Sequence, residues 1–389
     1  MGSKTGIEWT DSTWSPIRAR VRQDAADIAG AKGYRSLVEI ASRMAGRVGQ
    51  HCEHVSPGCE HSYAETNNHR CLPGNGTGLP YDQRSRDLVE VFVDERVLLQ
   101  PLKWRQIKEQ TAAEEVVGSY HLRPRRIFVE NQSDLFAEWV TDEMRDRVCA
   151  VGIVSGHILQ FLTKRPAEML RYFSDPETSN RIQNQVDELT DDYAYQWPYP
   201  NFWPGVSVEN QAAADERIPL LLQTPAAVRF VSCEPLLGPV DLSCIPWPTG
   251  FPFSIDGPGS DGFDALRFDD RNSLAKLPHL DWVIAGGESG PGARPMHPEW
   301  ALSLRDQCAA AGVPFFFKQW GEWLPWNTIS EIEHLHPSTS ICLVKAGGRV
   351  IRPFCYEDRP GQKMVRVGRE DAGALLDGCT HKAFPEVRA

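Results

Sequence analysis

Short runs of apolar and β-branched residues recur along the chain, and each is followed by a polar or glycine-bearing segment. Their starts lie 25 to 53 residues apart, which suits βαβ units of about 30 residues or more. A further strand is predicted near residues 7–14. The pattern therefore predicts parallel strands joined by helices. The six runs are residues 127–129, 158–163, 203–208, 228–232, 281–287 and 313–318.

The segments between these runs carry the composition and the end signals of helices. Residues 143–155 follow Thr141, a residue type that caps helix N-termini. Residues 211–223 end before a Thr-Pro step, and residues 298–312 begin at a proline and end at a glycine. Alternating strands and helices predict an α/β fold, a full or partial TIM-type (β/α) barrel. A doubly wound sheet is the alternative, but the Gly-rich fingerprint after its first strand is missing from the sequence.

The barrel is expected to occupy residues 1–323, and residues 324–389 are expected to form a C-terminal extension that packs on it. Two insertions are expected within the barrel. Residues 17–50 have apolar positions near helical spacing and predict a helical insertion. Residues 243–278 are rich in Gly, Pro and Asp and predict a long loop or small lid.

Composition narrows the classes of function. The chain is 41% hydrophobic and 24% charged, which is ordinary for a globular protein. Without a run of about 18 apolar residues or the apolar core of a signal peptide, no membrane association is expected, and a cytoplasmic location is predicted. A net charge of −11 argues against wholesale coating of nucleic acid. Two groups of arginines form either a local basic groove or ordinary surface charge: Arg18, Arg20 and Arg22, and Arg123, Arg125 and Arg126.

The segment CEHVSPGCEHSYAE, residues 52–65, carries the strongest chemical signal. Cys52 and Cys59 are separated by six residues, and Ser62 stands where a third cysteine would complete a C-x6-C-x2-C run. A loop with three thiolates, bent by Gly and Pro, is what an iron–sulfur cluster with one open iron requires. A Cys/His zinc site is an alternative because His51, His54 and His61 lie close by, and a loop without metal is another.

Eight blocks of sequence resemble the phage-associated three-Cys-motif family, which is similar to radical S-adenosylmethionine enzymes. The resemblance spans most of the chain and implies the partial barrel of those enzymes. The blocks are GIEWTDSTWSP (6–16), CEHVSPGCEHSYAE (52–65), IFVENQSDLF (127–136), FLTKRP (161–166), WPGVSVENQAAADERIPLLLQTPA (203–226), RFVSCEPLLGPVDL (229–242), DWVIAGGESGPGARPMHPEWA (281–301) and VPFFFKQWGEW (313–323).

The resemblance also implies a cofactor and a reaction. It implies a [4Fe–4S] cluster at Cys52, Cys59 and Ser62, with S-adenosylmethionine on the fourth iron. Reductive cleavage of that cofactor would yield a 5′-deoxyadenosyl radical, which would abstract hydrogen from a nucleobase or nucleic-acid substrate. An electron donor would then be a partner. Ser62 departs from the family pattern, and a hydroxyl is a harder ligand than a thiolate. A cluster-less barrel that binds a ligand or a partner protein is therefore the alternative.

Active sites of parallel barrels lie at the carboxyl ends of the strands, which nominates the residues just past each run. Glu234 and Lys318 are the catalytic candidates. A metal-free hydrolase or lyase using these two residues with Glu288 is a further alternative. The cofactor-binding candidates are Gly286 and Gly287, which allow close backbone approach, Glu288, which accepts from an amine, and Asn131 and Ser133. Other polar residues at strand ends are Asp134, Thr163, Lys164, Arg165, Glu209, Asn210, Gln319 and Glu322.

Overall fold

A seven-stranded parallel sheet organises the protein, seen in a computed structural model. The structure describes residues 5–70, 76–110, 119–191, 196–246, 262–267, 278–331, 340–351 and 361–386. The strands are β1 Ser12–Trp14, β2 Arg126–Val129, β3 Ile158–Thr163, β4 Phe202–Ser207, β5 Phe230–Cys233, β6 Trp282–Ala285 and β7 Phe315–Phe317.

The order of the strands in the sheet follows their order in the chain, from β1 to β7. A doubly wound sheet reverses its strand order at a switch point, and no reversal occurs here. β1 and β7 are the two edge strands, and within the described ranges no pairing joins them. The sheet is therefore an open half-barrel, and the closed barrel that was one of the two expectations is not observed.

Helices connect β2 to β3, β3 to β4, β4 to β5 and β6 to β7, as the βα rhythm of the sequence predicts. Thr141 accepts a hydrogen bond from Met144 N at 3.3 Å and caps the first of them, which ends at Gly156 with a φ of 65°. Asn210 caps another by accepting from Ala213 N at 3.0 Å. These helices are Asp142–Ser155, Pro166–Ser174, Thr178–Asp187, Gln211–Gln223 and Pro298–Ala311. In the part of the chain that the structure describes, no helix is both long and apolar enough to cross a membrane.

The chain divides into two compact units. Unit 1 comprises Met1–Val55, Ala64–Pro204 and Pro225–Ala227, and unit 2 comprises Ser56–Tyr63, Gly205–Thr224 and Val228–Ala389. Cys52 therefore belongs to unit 1, whereas Cys59 and Ser62 belong to unit 2. Residues 324–389, the predicted C-terminal extension, fall within unit 2.

Unit 1 contains a small antiparallel sheet beside the parallel strands. Ile17–Val21 pairs with Val48–Gly49 on one side and with Val89–Val93 on the other. Helices Ala25–Ala31 and Arg35–Met44 share a separate apolar core with this sheet. Residues 17–50 are thus helical in the middle but form strands at both ends. The other elements that begin in unit 1 are Gln83–Arg86, Glu95–Leu98, the 3-10 turn Pro101–Lys103, and the hairpin of Ile107–Glu109 with His121–Arg123.

Unit 2 adds a second antiparallel sheet of four strands, ordered Trp323–Pro325, Gln362–Arg366, Ile341–Val344, Val350–Ile351. Most of the predicted insertion 243–278 lies outside the described residues; of the rest, Ile245 and Phe263 form an antiparallel bridge. The remaining elements are the 3-10 turns Pro57–Cys59 and Trp326–Glu331, helix Arg369–Ala372, and the pair Leu375–Leu376 with Cys379–Thr380. Helix Tyr63–His69 follows the first of these turns.

Candidate functional site

Three neighbouring strands of unit 2, β5, β6 and β7, place the residues that follow them side by side. The parallel register aligns Glu234, Gly286 and Lys318. Each of these residues lies two positions beyond a paired residue of its strand, so the three share one face of the sheet. Lys318 Nζ donates to Glu234 Oε1 at 2.5 Å, and the two side chains are 15% and 17% exposed. A Cβ atom at Gly286 would lie 3.4 Å from Lys318 Cβ and 3.6 Å from Glu234 Cδ. The ion pair between the two catalytic candidates therefore spans a strand that has no side chain at this position.

Gly287 is held against the protein's own backbone. Its amide donates to Gln319 O at 2.8 Å, and an added Cβ would lie only 1.9 Å from Trp320 O. The glycine is required because two strand ends approach each other closely. Cofactor binding by Gly286 and Gly287 stays a prediction, since the approach that is visible here joins two segments of the protein.

Glu288 is a buried carboxylate whose oxygens are engaged by one arginine. Arg294 donates to it through Nη2 at 2.6 Å, through Nε at 2.8 Å and through its backbone amide at 2.8 Å. Burial opposes the charge on Arg294, but the hydrogen bond and the charge of Glu288 outweigh it and raise the pKa of the guanidinium. The proposed role of Glu288 as an acceptor for a cofactor amine stays a prediction.

The same arginine reaches the cysteine loop, which we define as residues 56–63 of unit 2. Arg294 Nη2 donates to Pro57 O at 2.9 Å, and Nη1 pairs with Glu60 at 3.0 Å. His61 packs so close to Gly292 that a Cβ there would lie 2.6 Å from the imidazole ring. The cysteine loop is therefore attached to the turn that follows β6.

A second carboxylate, Glu209 at the end of β4, lies against the same loop. Its Oε1 accepts from Ser56 Oγ at 2.6 Å, and its Oε2 pairs with Arg217 at 2.9 Å. A Cβ at Gly58 would lie 2.4 Å from Glu209 Oε1, so the loop approaches this carboxylate as closely as only glycine allows. Glu209 is 1% exposed, and its charge is compensated by the buried Arg217.

Cys59 and Ser62 lie on a short hydrogen-bonded turn. Cys59 N donates to Ser56 O at 2.9 Å, and Ser62 N donates to Cys59 O at 3.1 Å. Both residues are half-buried, and Cys59 Sγ lies 3.9 Å from Ser56 Oγ. The turn thus places two of the three predicted ligands three residues apart on the loop that Arg294 and Glu209 hold.

Cys52 lies in a charged environment within unit 1. Burial opposes the charge on Arg165, but the charges of Asp134, at 3.0 Å, and of the Cys52 sulfur when it is ionised raise the pKa of this guanidinium. Glu53 is bound by Arg86 at 2.6 Å and 2.7 Å. Burial would raise the pKa of Glu53, but hydrogen bonds from His51 and Arg86 lower it to about 2. The charged residues named here form ion pairs: Arg165 with Asp134, and Arg86 with Glu53.

Asn131 and Ser133 both make contacts within unit 1. Ser133 Oγ donates to the carbonyl of His51 at 2.6 Å, directly before Cys52. Asn131 Oδ1 accepts from Ser15 Oγ at 3.1 Å, just past the end of β1. Ser133 therefore fixes the backbone beside a predicted ligand, and cofactor binding by these two residues stays a prediction.

Glu130, the first residue after β2, was not among the site residues predicted from the sequence. It is 2% exposed and has a φ of 53°. Oε1 accepts from Ile17 N at 2.8 Å, whereas Oε2 has no hydrogen-bond partner in the described part of the chain. Burial raises the pKa of Glu130 to about 8, against the opposing effects of the Ile17 amide and Arg18. A glutamate within the ENQSD segment was the available signal, because it follows an apolar strand directly.

Across the described ranges, no group of three or more His, Cys, Asp or Glu residues is arranged to hold a metal ion. His54 contacts Glu65 at 2.8 Å and His51 contacts Glu53 at 3.4 Å. The alternative of a Cys/His zinc site therefore has no such ligand group within the described residues. For a [4Fe–4S] cluster the available donors are two thiols and a hydroxyl. This set fits such a cluster in kind, with one soft ligand replaced by a harder one.

The fold and the site together define the class of protein. It is an open parallel half-barrel with ion pairs at the ends of its strands. The chain belongs to the family described as "Protein of unknown function (DUF5131)", whose profile matches residues 47–385. No curated protein and no solved structure matches the chain.

Proposed function

We propose that this protein is an iron–sulfur protein of the radical S-adenosylmethionine kind, acting by reductive cofactor cleavage and hydrogen abstraction. One observation carries the proposal: the seven parallel strands follow chain order, and the cysteine-bearing segment, residues 52–65, lies between β1 and β2 in the chain. An open parallel half-barrel supports the proposal, because the resemblance to the three-Cys-motif family implies a partial barrel. The nucleobase or nucleic-acid class of substrate, and the need for an electron donor, come from that resemblance.

The proposed ligands are the thiols of Cys52 and Cys59 and the hydroxyl of Ser62. When bound, the cluster and S-adenosylmethionine supply the electron transfer and the hydrogen abstraction. The protein's own residues supply position and charge. Arg294 and Glu209 hold the cysteine loop, and the row at the ends of β5 to β7 carries a proton on Lys318 Nζ next to the Glu234 carboxylate. This pair is placed to give or take a proton at a substrate bound against the row.

Anaerobic reconstitution with iron and sulfide tests the ligand assignment. We expect Ser62→Cys to bind more iron per chain than the parent, because a thiolate is a softer and more easily ionised ligand than a serine hydroxyl. The measurements are iron and sulfide content, together with visible absorbance that bleaches on reduction with dithionite.

Cys59→Ala is the matched control and is expected to bind less iron than the parent. Cys244→Ala, an exposed cysteine elsewhere in unit 2, should leave the iron content unchanged. Equal iron in the parent, Ser62→Cys and Cys59→Ala proteins would rule out these ligands and the radical-enzyme proposal with them.

A second candidate is a cluster-less half-barrel that binds a ligand or a partner protein. The observation in its favour is that protein groups contact the cysteine loop at two points, through Ser56 to Glu209 and through Arg294 to Pro57. This candidate predicts that neither the parent nor Ser62→Cys retains iron after desalting, whereas thermal stability is unaffected by reconstitution.

A further inference from the structure

Arg294, which was not among the site residues predicted from the sequence, makes the largest set of hydrogen bonds to the cysteine loop described above. Its guanidinium contacts three groups at once: the Glu288 carboxylate, the Pro57 carbonyl and the Glu60 carboxylate. Glu288 in turn also accepts from the Arg294 backbone amide, which fixes the turn that carries the arginine. The side chain of Arg294 is 24% exposed and that of Glu288 is 5% exposed, so the pair is largely shielded from water.

We propose that Glu288 and Arg294 are positioning residues that fix the cysteine loop, and through it Cys59, against the end of β6. This inference rests on the proposed function only for the identity of the cluster that the fixed loop would bind. Glu288 then holds Arg294 in place and does not itself contact the ligand.

We call Glu288 and Arg294, together with their contacts to the cysteine loop, the clamp. It depends on the planar geometry of the Arg294 guanidinium. Arginine presents five donors in a planar fork, so Nε and Nη2 can engage Glu288 while Nη1 and Nη2 reach the loop. A lysine at this position would keep the charge next to Glu288 but would offer one nitrogen. It could not bridge the carboxylate and both loop residues. Replacing Arg294 by lysine therefore separates the effect of the positive charge from the effect of the planar array of donors.

Hydrogen–deuterium exchange on the full chain tests the clamp without any cluster. The amides of Cys59, Glu60 and Ser62 donate to carbonyls within the loop, so their exchange reports its local opening. For Arg294→Gln we expect about tenfold faster exchange in this segment, corresponding to about 1.4 kcal/mol. Exchange in β5, β6 and β7 should be unchanged. For Arg294→Lys we expect a similar increase in the loop, with a melting temperature close to that of the parent.

Arg305→Gln is the control. Arg305 is also 24% exposed and also pairs with two carboxylates, Asp306 and Asp377. Neither of these ion pairs involves the cysteine loop. It should leave loop exchange unchanged. Unchanged loop exchange in Arg294→Gln would overturn the proposal, and full protection in Arg294→Lys would overturn the role of the fork.

Iron content after reconstitution is the second readout. We expect Arg294→Lys to retain less iron than the parent and Arg305→Gln to retain the same amount. Equal iron in Arg294→Lys and in an iron-binding parent would overturn the positioning of Cys59. If the parent itself binds no iron, the proposed function fails, whereas the exchange experiment still decides whether the clamp holds the loop.

Discussion

At the scale of single residues, two adjacent glycines in the GGES segment have different reasons to be glycine. A Cβ at Gly286 would meet its nearest neighbours at 3.4 Å, which is ordinary contact, whereas a Cβ at Gly287 would lie 1.9 Å from a backbone oxygen. A flexible side chain can move away from an added methyl group, whereas the backbone at Trp320, whose amide donates to Gly373 O, can move only if the segment past β7 shifts. The two positions therefore form a natural matched pair.

We expect Gly287→Ala to lower the free energy of unfolding by about 1–3 kcal/mol, the range found for overpacking, and Gly286→Ala to lower it by less than about 1 kcal/mol. Chemical denaturation of both variants gives the comparison. Equal destabilisation by the two substitutions would show that the clash at Trp320 O does not set the need for glycine.

Only some residues of the site could be predicted from the sequence, because only some of them directly follow a strand. Glu234 and Lys318 could be nominated because each directly follows an apolar strand. Arg294 could not, because it lies in a turn nine residues beyond β6, and its contacts depend on the path of the cysteine loop. Glu209 was nominated from its strand end, but its contact with Gly58 could not be read from spacing.

At the scale of elements, the apolar runs located the parallel strands well. The run 158–163 coincides with β3, and the run 203–208 differs from β4 by one residue at each end. Ile17–Val21 was missed as a strand. Its sequence, IRARV, alternates apolar and polar residues over five positions only, and its partner Val89–Val93 lies about 70 residues away in the chain. Pairing across such a separation gives no local signal.

The edge strand β7 is covered by the C-terminal segment of unit 2. Phe317 N donates to His381 O at 2.8 Å, and Phe316 and Lys382 form an antiparallel bridge. Phe384 lies 5.2 Å from Trp282 and 5.3 Å from Phe316, measured between ring centroids. An exposed edge would invite pairing with another chain, and this segment occupies it.

We expect Phe384→Ala to lower the free energy of unfolding by about 1–2 kcal/mol, because the ring is half-buried and full burial of an aromatic side chain contributes about 1.5–3 kcal/mol. Leu375→Ala is the control, since Leu375 is 58% exposed in the same unit. Thermal unfolding of the two variants provides the measurement. A loss in Phe384→Ala no larger than in Leu375→Ala would mean that the segment contributes little to the packing of β7.

At the scale of the whole molecule, stability should depend on pH through the buried acid at the end of β2. Burial raises the pKa of Glu130 from its ordinary value of 4.5 to about 8. The folded protein therefore holds a proton here that the unfolded chain releases between these two values. The contribution of the protonated form is fully present below about pH 4.5 and is lost as the pH rises towards 8.

Glu130→Gln isolates this effect, because the amide keeps an oxygen for Ile17 N and stays neutral at every pH. Relative to the variant, the parent should lose up to about 1.4 kcal/mol of stability per pH unit between about pH 5 and pH 8. Melting temperatures of both proteins at pH 5.0, 6.5 and 8.0 in one buffer system, with Glu188→Gln as a control at an exposed carboxylate, provide the test. If the difference between parent and Glu130→Gln does not change with pH, the carboxyl group is ionised in the folded protein, and the unpartnered Oε2 atom must then find a donor outside the described contacts.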